Sequence, residues 1–156
     1  MVNRMLNRLK VAIGTAAFSL LATAAMAQAP DQALIDKGAY VARLGDCVAC
    51  HTALHGQAYA GGLEIKSPIG TIYSTNITPS SDGIGGYSFE EFEQAVRHGA
   101  RKDGSTLYPA IPYPALSCMT HDDMRARHAH FLHRVKPGAH PNNSKPHSVP
   151  TSMLRP

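Results

Sequence analysis

Cys47-Val48-Ala49-Cys50-His51 is the stretch of sequence that decides the fold. Two cysteines three positions apart, followed directly by a histidine, form the attachment signature of c-type haem. On a tight turn each cysteine can form a thioether with a haem vinyl group, and the next residue then directs its imidazole at the iron. We therefore predict one covalently attached haem c, held by Cys47 and Cys50, with His51 as an axial iron ligand.

The N-terminus has the features of an export signal. Arg4, Arg8 and Lys10 form a basic start, and residues 11–25 are mostly apolar and lead into Ala-Met-Ala, a typical cleavage site. The apolar stretch is shorter and richer in alanine than a membrane span, which needs about 20 strongly apolar residues. We predict that residues 1–27 are a signal peptide and that the protein is exported to the periplasm, where haem attachment of this type is expected.

Loss of the signal peptide changes the charge balance of the chain. Three of the fifteen Lys and Arg lie within it, whereas all eleven Asp and Glu follow it, so the mature chain is nearly neutral. The sequence also has no basic run of the kind that follows a phosphate backbone. We therefore expect no nucleic-acid partner.

A Cys-x-x-Cys pair also occurs in thioredoxin-like dithiols and as half of a zinc site. The residues around Cys47 do not run from a strand into the N-terminus of a helix, as a redox dithiol requires, and no second such pair completes a zinc set. The third cysteine, Cys118, is interpreted as a packed or adventitious thiol rather than a third attachment point.

Helical periodicity and capping residues predict three helices. The first covers residues 31–45 and ends two residues before the cysteine motif. The second begins with a capping box at Ser88 and extends to Gly99. The third begins at Thr120 and runs to about Arg134, with acidic residues at its start and basic ones at its end.

Loops rich in glycine and proline separate these helices. Residues 55–86 are predicted to be a long loop with one small strand pair around residues 70–73, and residues 108–114 a stiff, extended loop. The sequence shows no repeat and no second domain. We predict an all-α, cytochrome c-like domain over residues 31–135, with three to four short helices around one haem. Residues 136–156 form a proline-rich tail that we expect to be loosely held.

Several blocks of the sequence resemble one protein family. They look like the first haem domain of the cytochrome c subunits that serve membrane-bound alcohol, aldehyde and gluconate dehydrogenases of bacteria. The resemblance covers roughly residues 35–145, and the Thr-Asn-Ile-Thr-Pro block is far more specific than the haem motif. The blocks are Gly38 to His51, Ala60 to Ile65, Ile69 to Pro79, Gly83 to Ser88 and Leu107 to Pro114.

The resemblance implies an electron carrier rather than an enzyme. Subunits of this family accept electrons from a quinone-cofactor or flavin dehydrogenase partner and pass them to membrane ubiquinone or a terminal oxidase. It also implies peripheral association with the membrane through that partner. Family subunits usually carry three haem motifs, whereas this chain has one.

A second departure concerns the sixth iron ligand. The family places a methionine at the position of Ile111, and an alkyl side chain cannot bind iron. We expect Pro112, Tyr73 and Asn76 to line a haem pocket that lacks this ligand. Because an axial methionine raises the potential of a cytochrome c, its loss should lower it.

Three other side chains are candidates to replace the missing methionine as the sixth ligand. They are Met119, His98 and His121, of which Met119 has the chemistry that the family uses. Met119 is also interpreted as a structural residue at the start of the third helix.

The third helix carries polar residues where the family has leucine and tyrosine. We expect Arg127 to extend its charge to solvent or to be exposed. The histidines at 128, 130 and 133 are interpreted as a solvated or half-buried helix face rather than a metal cluster, since a zinc site needs its ligands on one face in a closed shell.

Two alternative functions stay open on the sequence alone. Ile111 would allow a five-coordinate haem that binds a diatomic gas or reduces peroxide. The single haem motif would also fit a truncated, partly degenerate relative of the family.

Overall fold

The computed structural model describes residues 31–67, 70–107, 110 and 116–140. These residues form four helices and one two-stranded antiparallel sheet. The helices are α1 (Gln32–Leu44), α2 (Cys47–Cys50), α3 (Phe89–His98) and α4 (His121–His133), and the strands are β1 (Glu64–Ser67) and β2 (Gly70–Tyr73). The three predicted helices are confirmed, and the strand expected at residues 70–73 pairs with β1. The predicted signal peptide lies outside the described residues.

The long helices begin at capping side chains, as the sequence predicted. Asp31 accepts from a backbone amide at the start of α1. The predicted capping box of α3 is complete, with the Ser88 hydroxyl accepting from the Glu91 amide at 3.2 Å and the Glu91 carboxylate accepting from the Ser88 amide at 2.8 Å. Gly99 ends α3 in the left-handed conformation, and Thr120 caps α4. Such caps each contribute about 1 kcal/mol.

Helices α1 and α4 pack closely against each other. A Cβ atom at Gly38 would stand 2.0 Å from the carbonyl oxygen of Ala126, so only glycine allows this approach. The same face of α1 buries Ile35, Val41 and Ala42, as its periodicity predicted. Helix α1 thereby fixes the position of the residues that follow it, which carry the cysteine motif.

One apolar cluster forms the core between the helices and the long loop. Its fully buried aromatic and thioether side chains each contribute about 1.5–3 kcal/mol by leaving water. Cys47 packs against the edge of this cluster, so the core reaches the cysteine motif. The members are Ala42, Ile84, Phe92, Met124 and Phe131. None of the helices in the described part of the chain is long and apolar enough to cross a membrane.

The start of the C-terminal tail is held more firmly than its composition indicated. The Gln57 side chain donates to the carbonyls of Lys136 and Pro137 at 2.9 and 3.0 Å, and Gly138 is buried. The expectation of a loosely held tail is therefore wrong as far as His140, because backbone carbonyls of this segment find donors on the long loop. The residues that follow lie outside the described part of the chain.

Candidate haem site

The cysteine motif forms a single helical turn directly after α1. Asp46 precedes it with a φ of 47°, a left-handed conformation that aspartate tolerates better than most residues. The turn is closed by the His51 amide, which donates to the carbonyl of Cys47 at 3.0 Å. Residues three apart on a helix share a face, so Cys47 and Cys50 present two free thiols on the same side of the turn.

The imidazole of His51 is held by a backbone carbonyl far along the chain. Its Nδ1 donates to the carbonyl oxygen of Thr75 at 2.7 Å. Burial lowers the pKa of His51 below its ordinary value, although the Thr75 carbonyl opposes that shift. The ring is thus kept neutral, with its proton on Nδ1, and Nε2 is the nitrogen left for a metal. A histidine that binds iron or zinc uses this arrangement to fix its tautomer and orientation.

The backbone around His51 ties the imidazole and its acceptor to the same part of the loop. The Gly61 amide donates to the carbonyl of His51 at 2.8 Å, and the next amide, of Gly62, donates to the carbonyl of Ser74 at 2.8 Å. Ser74 directly precedes Thr75. Two adjacent amides therefore set the distance between His51 and the segment that orients it.

These residues fit a covalently bound haem. Two free thiols lie one turn apart, and the neighbouring imidazole has one nitrogen anchored and the other available. Cys47 and Cys50 would form the thioethers and His51 would bind the iron. The roles of the three residues in haem attachment stay predictions.

Asn76, predicted to line the haem pocket, is the centre of a buried hydrogen-bond network. Its amide nitrogen donates to the carbonyls of Gly138 and His140 at 2.8 and 3.1 Å. Its carbonyl oxygen accepts from the amide and hydroxyl of Thr78 at 2.9 and 2.7 Å. Asn76 and Thr78 are 1 and 0 % exposed. Asn76 thus joins the segment after α4 to the chain beside Thr75.

The other predicted pocket residues are less well placed. Tyr73 ends β2 opposite Glu64 and is 47 % exposed, so its contact with a haem stays a prediction. Ile111 and Pro112 lie outside the described residues.

The candidates for the sixth ligand occupy different surroundings. Met119 is partly buried and packs against the core cluster, and its carbonyl accepts from Arg97 at 2.8 Å. The ring of His121 makes an edge contact with Phe89, with 4.9 Å between centroids. His98 is exposed at the end of α3. The identity of the sixth ligand stays a prediction.

Arg127 is buried, which corrects the expectation that its charge reaches solvent. It is only 3 % exposed, and among the residues that the structure describes its Nε has no hydrogen-bond partner. Burial lowers the pKa of Arg127, and the neighbouring Cys47 and Asp123 oppose this. An arginine nevertheless stays charged in proteins. The side chain fits inside because Gly45 leaves room for it, with Nη2 2.9 Å from where a Cβ of Gly45 would stand.

His130 on the same helix is also buried, at 6 % exposure, rather than solvated. Its Nδ1 has no hydrogen-bond partner. Burial lowers the pKa of His130, and the cations Arg134 and Arg43 lower it further. His130 is inside because α1 approaches α4 so closely at Gly38, where a Cβ would stand 2.7 Å from the Cβ of His130.

His128 is half-buried, as expected for this helix face, and His133 is exposed. The His128 ring lies 5.0 Å from that of Phe92, between centroids, and its Nε2 is buried without a partner. Burial lowers the pKa of His128, and a backbone hydrogen bond at Tyr87 opposes this. In the part of the chain that the structure describes, no three His, Cys, Asp or Glu residues come together to hold a metal ion.

Two features of the site were missed by reasoning from the sequence. The acceptor for His51 is a backbone carbonyl, which no side-chain pattern reveals, although Thr75 lies within the Thr-Asn-Ile-Thr-Pro block. The burial of Arg127 was missed because arginine is rarely inside a protein. Gly45, two residues before Cys47, was the available signal, since a glycine there admits a bulky neighbour.

Comparison with known proteins identifies relatives of the chain. No family model matches it. The cytochrome c subunit of the alcohol dehydrogenase (quinone) of Gluconacetobacter polyoxogenes is 68% identical over 155 residues, which are 97% of this chain and 33% of the relative. The corresponding subunit of Gluconobacter oxydans is 59% identical over 96% of this chain and 31% of its own length. The gluconate 2-dehydrogenase cytochrome c subunit of Pantoea cypripedii is 50% identical over 97% of this chain and 34% of its own length.

The chain spans about a third of the length of these relatives, and the similarity covers nearly all of its own residues. The helical fold and the motif turn agree with this relationship. The chain is therefore similar to the first domain of the cytochrome c subunits of bacterial alcohol and gluconate dehydrogenases.

Proposed function

We propose that the chain carries single electrons through one haem c, attached by Cys47 and Cys50 and bound at its iron by His51. The observation that carries this proposal is the hydrogen bond from His51 Nδ1 to the Thr75 carbonyl at 2.7 Å, made directly beside the two thiols. An anchored neutral imidazole next to paired thiols is the arrangement that haem attachment requires.

The residues of the chain have distinct roles in this function. The thioether positions fix the cofactor to the turn after α1, and Cys47 does so from the edge of the core cluster. The hydrogen bond from His51 to the Thr75 carbonyl holds the imidazole in one orientation, which would limit its rearrangement on electron transfer. The bound haem supplies a reversible one-electron couple. The chain thus carries electrons and does not transform a substrate.

The partners follow from the relatives, which are cytochrome c subunits of dehydrogenases. We propose that a dehydrogenase subunit donates electrons and that a membrane quinone or a terminal oxidase accepts them. We further propose that the protein acts in the periplasm after removal of residues 1–27. It reaches the membrane surface through the partner subunit.

The alternatives are less well supported. A five-coordinate haem that binds gas or peroxide depends on Ile111, which lies outside the described residues, and the relatives are named as cytochrome c subunits of dehydrogenases. A degenerate, non-functional relative would not be expected to retain the anchored imidazole beside both thiols.

Haem attachment is tested on the full chain expressed with export and haem-attachment machinery. We expect a haem that stays with the polypeptide under denaturing conditions and gives the pyridine haemochrome spectrum of a doubly thioether-linked haem. Cys47→Ala and Cys50→Ala should each change that spectrum, whereas Cys118→Ser, a matched control at an exposed thiol, should not. A colourless exported protein with alkylatable Cys47 and Cys50 would contradict the proposal.

Electron transfer is separated from gas binding by adding carbon monoxide to the reduced protein. A carrier with a filled sixth position should respond little, whereas rapid and stoichiometric binding would support the five-coordinate alternative. Reduction of the haem by a purified dehydrogenase partner with its substrate then tests the direction of electron flow.

A further inference from the structure

Arg127 is a buried cation close to the attachment turn. A leucine would fill an apolar position between α1 and α4 without the cost of burying a guanidinium group. The structure instead holds Arg127 at 3 % exposure with its Nε unpartnered. A charge kept inside at such a cost is a candidate for a functional role, and its surroundings indicate which one.

The guanidinium group lies beside the first attachment cysteine. The point where a Cβ of Gly45 would stand is 2.9 Å from Arg127 Nη2 and 3.5 Å from Cys47 Sγ. The cation and the sulfur therefore flank the same glycine. A haem bound through Cys47 begins at that sulfur, so the charge lies close to one edge of the cofactor.

The neighbouring carboxylates do not cancel this charge. Asp123, one turn before Arg127 on α4, is paired with Lys37 at 2.8 Å and accepts from the hydroxyl of Thr120 at 2.7 Å. Asp46, next to Cys47, is exposed and screened by water. A positive charge thus remains on the protein side of the attachment turn.

We propose that Arg127 raises the reduction potential of the haem attached at Cys47. This inference rests on the function proposed above. Reduction adds one negative charge to the haem, and a fixed cation nearby stabilises the reduced form by direct Coulomb attraction. Because the guanidinium group is buried, solvent and salt screen this attraction less than they would at the surface. Arg127 would act on the haem through its charge and would not bind the iron.

Such a charge would offset the change at the sixth ligand position. Loss of an axial methionine, as Ile111 implies, lowers the potential. A buried cation near the ring shifts it in the opposite direction. The two substitutions together would keep the haem in a range where a dehydrogenase subunit can still reduce it.

The test is a spectroelectrochemical titration of the haem-loaded full chain. Arg127→Leu and Arg127→Gln remove the charge, and Arg127→Lys retains it. At the midpoint potential of the unsubstituted protein, we expect the ferrous to ferric ratio of both neutral variants to fall about tenfold, a shift of 59 mV for one electron. The lysine variant should retain most of the original ratio.

Arg125→Gln is the matched control, because it removes an exposed cation two positions away on the same helix. It should leave the midpoint unchanged. The shift caused by Arg127→Leu should also persist between low and high salt, since the charge is buried. A merely structural role for Arg127 would give no difference between the lysine and glutamine variants.

The outcomes separate this inference from the proposed function. Absence of covalent haem in the unsubstituted protein contradicts the function itself. A haem-loaded neutral variant with an unchanged midpoint overturns the role of Arg127 and leaves the function intact. Failure of all three Arg127 variants to load haem would assign the residue to packing and would also overturn the inference.

Discussion

The molecule contains two groups of buried polar side chains that differ in how they are satisfied. Around Asn76, the side-chain amide is hydrogen-bonded to Thr78, to the Ser80 hydroxyl and to the carbonyls of Gly138 and His140. On α4, by contrast, the buried nitrogens Arg127 Nε, His128 Nε2 and His130 Nδ1 have no partner.

The two groups of polar side chains should differ in their effect on the stability of the fold. A buried polar group that is fully hydrogen-bonded stabilises and specifies the fold, whereas an unpartnered one lowers stability. The Asn76 network lies next to Thr75 and so supports the carbonyl that orients His51. The three unpartnered nitrogens of α4 give the fold no such support. Mutations in the two groups should therefore act in opposite directions.

The largest effect is expected from Asn76→Ala. The change removes the acceptor of the buried Thr78 amide and the closest donor to the buried Gly138 carbonyl, at a cost of about 1–3 kcal/mol for such groups. We expect the free energy of unfolding to fall by about 3 kcal/mol. Urea unfolding of the haem-loaded protein measures this, and a loss below about 1 kcal/mol would show that the network does not hold the fold.

His130→Leu tests the group of unpartnered polar side chains on α4. Replacing a buried, unpartnered imidazole by an apolar group of similar size should be neutral or stabilising by about 1 kcal/mol. The same urea experiment gives the answer. A destabilisation greater than about 2 kcal/mol would mean that the imidazole makes an interaction on which the helix pair depends.

A smaller effect should appear as a pH dependence of stability. The pKa values of His128 and His130 are lowered in the folded protein, so below the ordinary pKa of about 6.5 the unfolded chain binds more protons than the folded one. The free energy of unfolding should therefore fall as the pH decreases from 7 to 5. For His130, the nearby Arg43 and Arg134 add to the penalty of protonation.

Unfolding curves at several pH values measure this dependence, with His133→Gln as the control because His133 is exposed. His130→Leu should reduce the slope and His133→Gln should not. An equal slope in all three proteins would remove His130 as a cause of the pH dependence.

The smallest effect is expected from Gln57→Ala. Gln57 holds the same C-terminal segment as Asn76, but it does so from an exposed position, where water can replace its bonds to Lys136 and Pro137. We expect a loss within about 0.5 kcal/mol, the usual range for surface substitutions. A loss as large as that of Asn76→Ala would show that burial is not what distinguishes the two anchors.

Much of the fold could be predicted because its signals are local. The capping box at Ser88, the cap at Thr120 and the spacing of α1 depend on residues three or four apart, and the structure confirms each of them. The strand pair around residues 70–73 was also predicted, and the structure identifies β1 as the partner strand. The hydrogen bonds that hold residues up to His140 were not predicted, because they depend on Asn76, which lies far along the chain.

The sequence by itself determined the helices and the resemblance to cytochrome c subunits of dehydrogenases. It also identified the thiols and imidazole expected to hold the haem, since the motif is contiguous and needs one turn of backbone. Only the tertiary structure decided how His51 is anchored, because its acceptor is a carbonyl 24 positions away. It also decided that Arg127 and His130 are inside. Their burial follows from the close approach of α1 and α4 at Gly38 and the space left by Gly45, and such packing depends on three-dimensional proximity that no local pattern encodes.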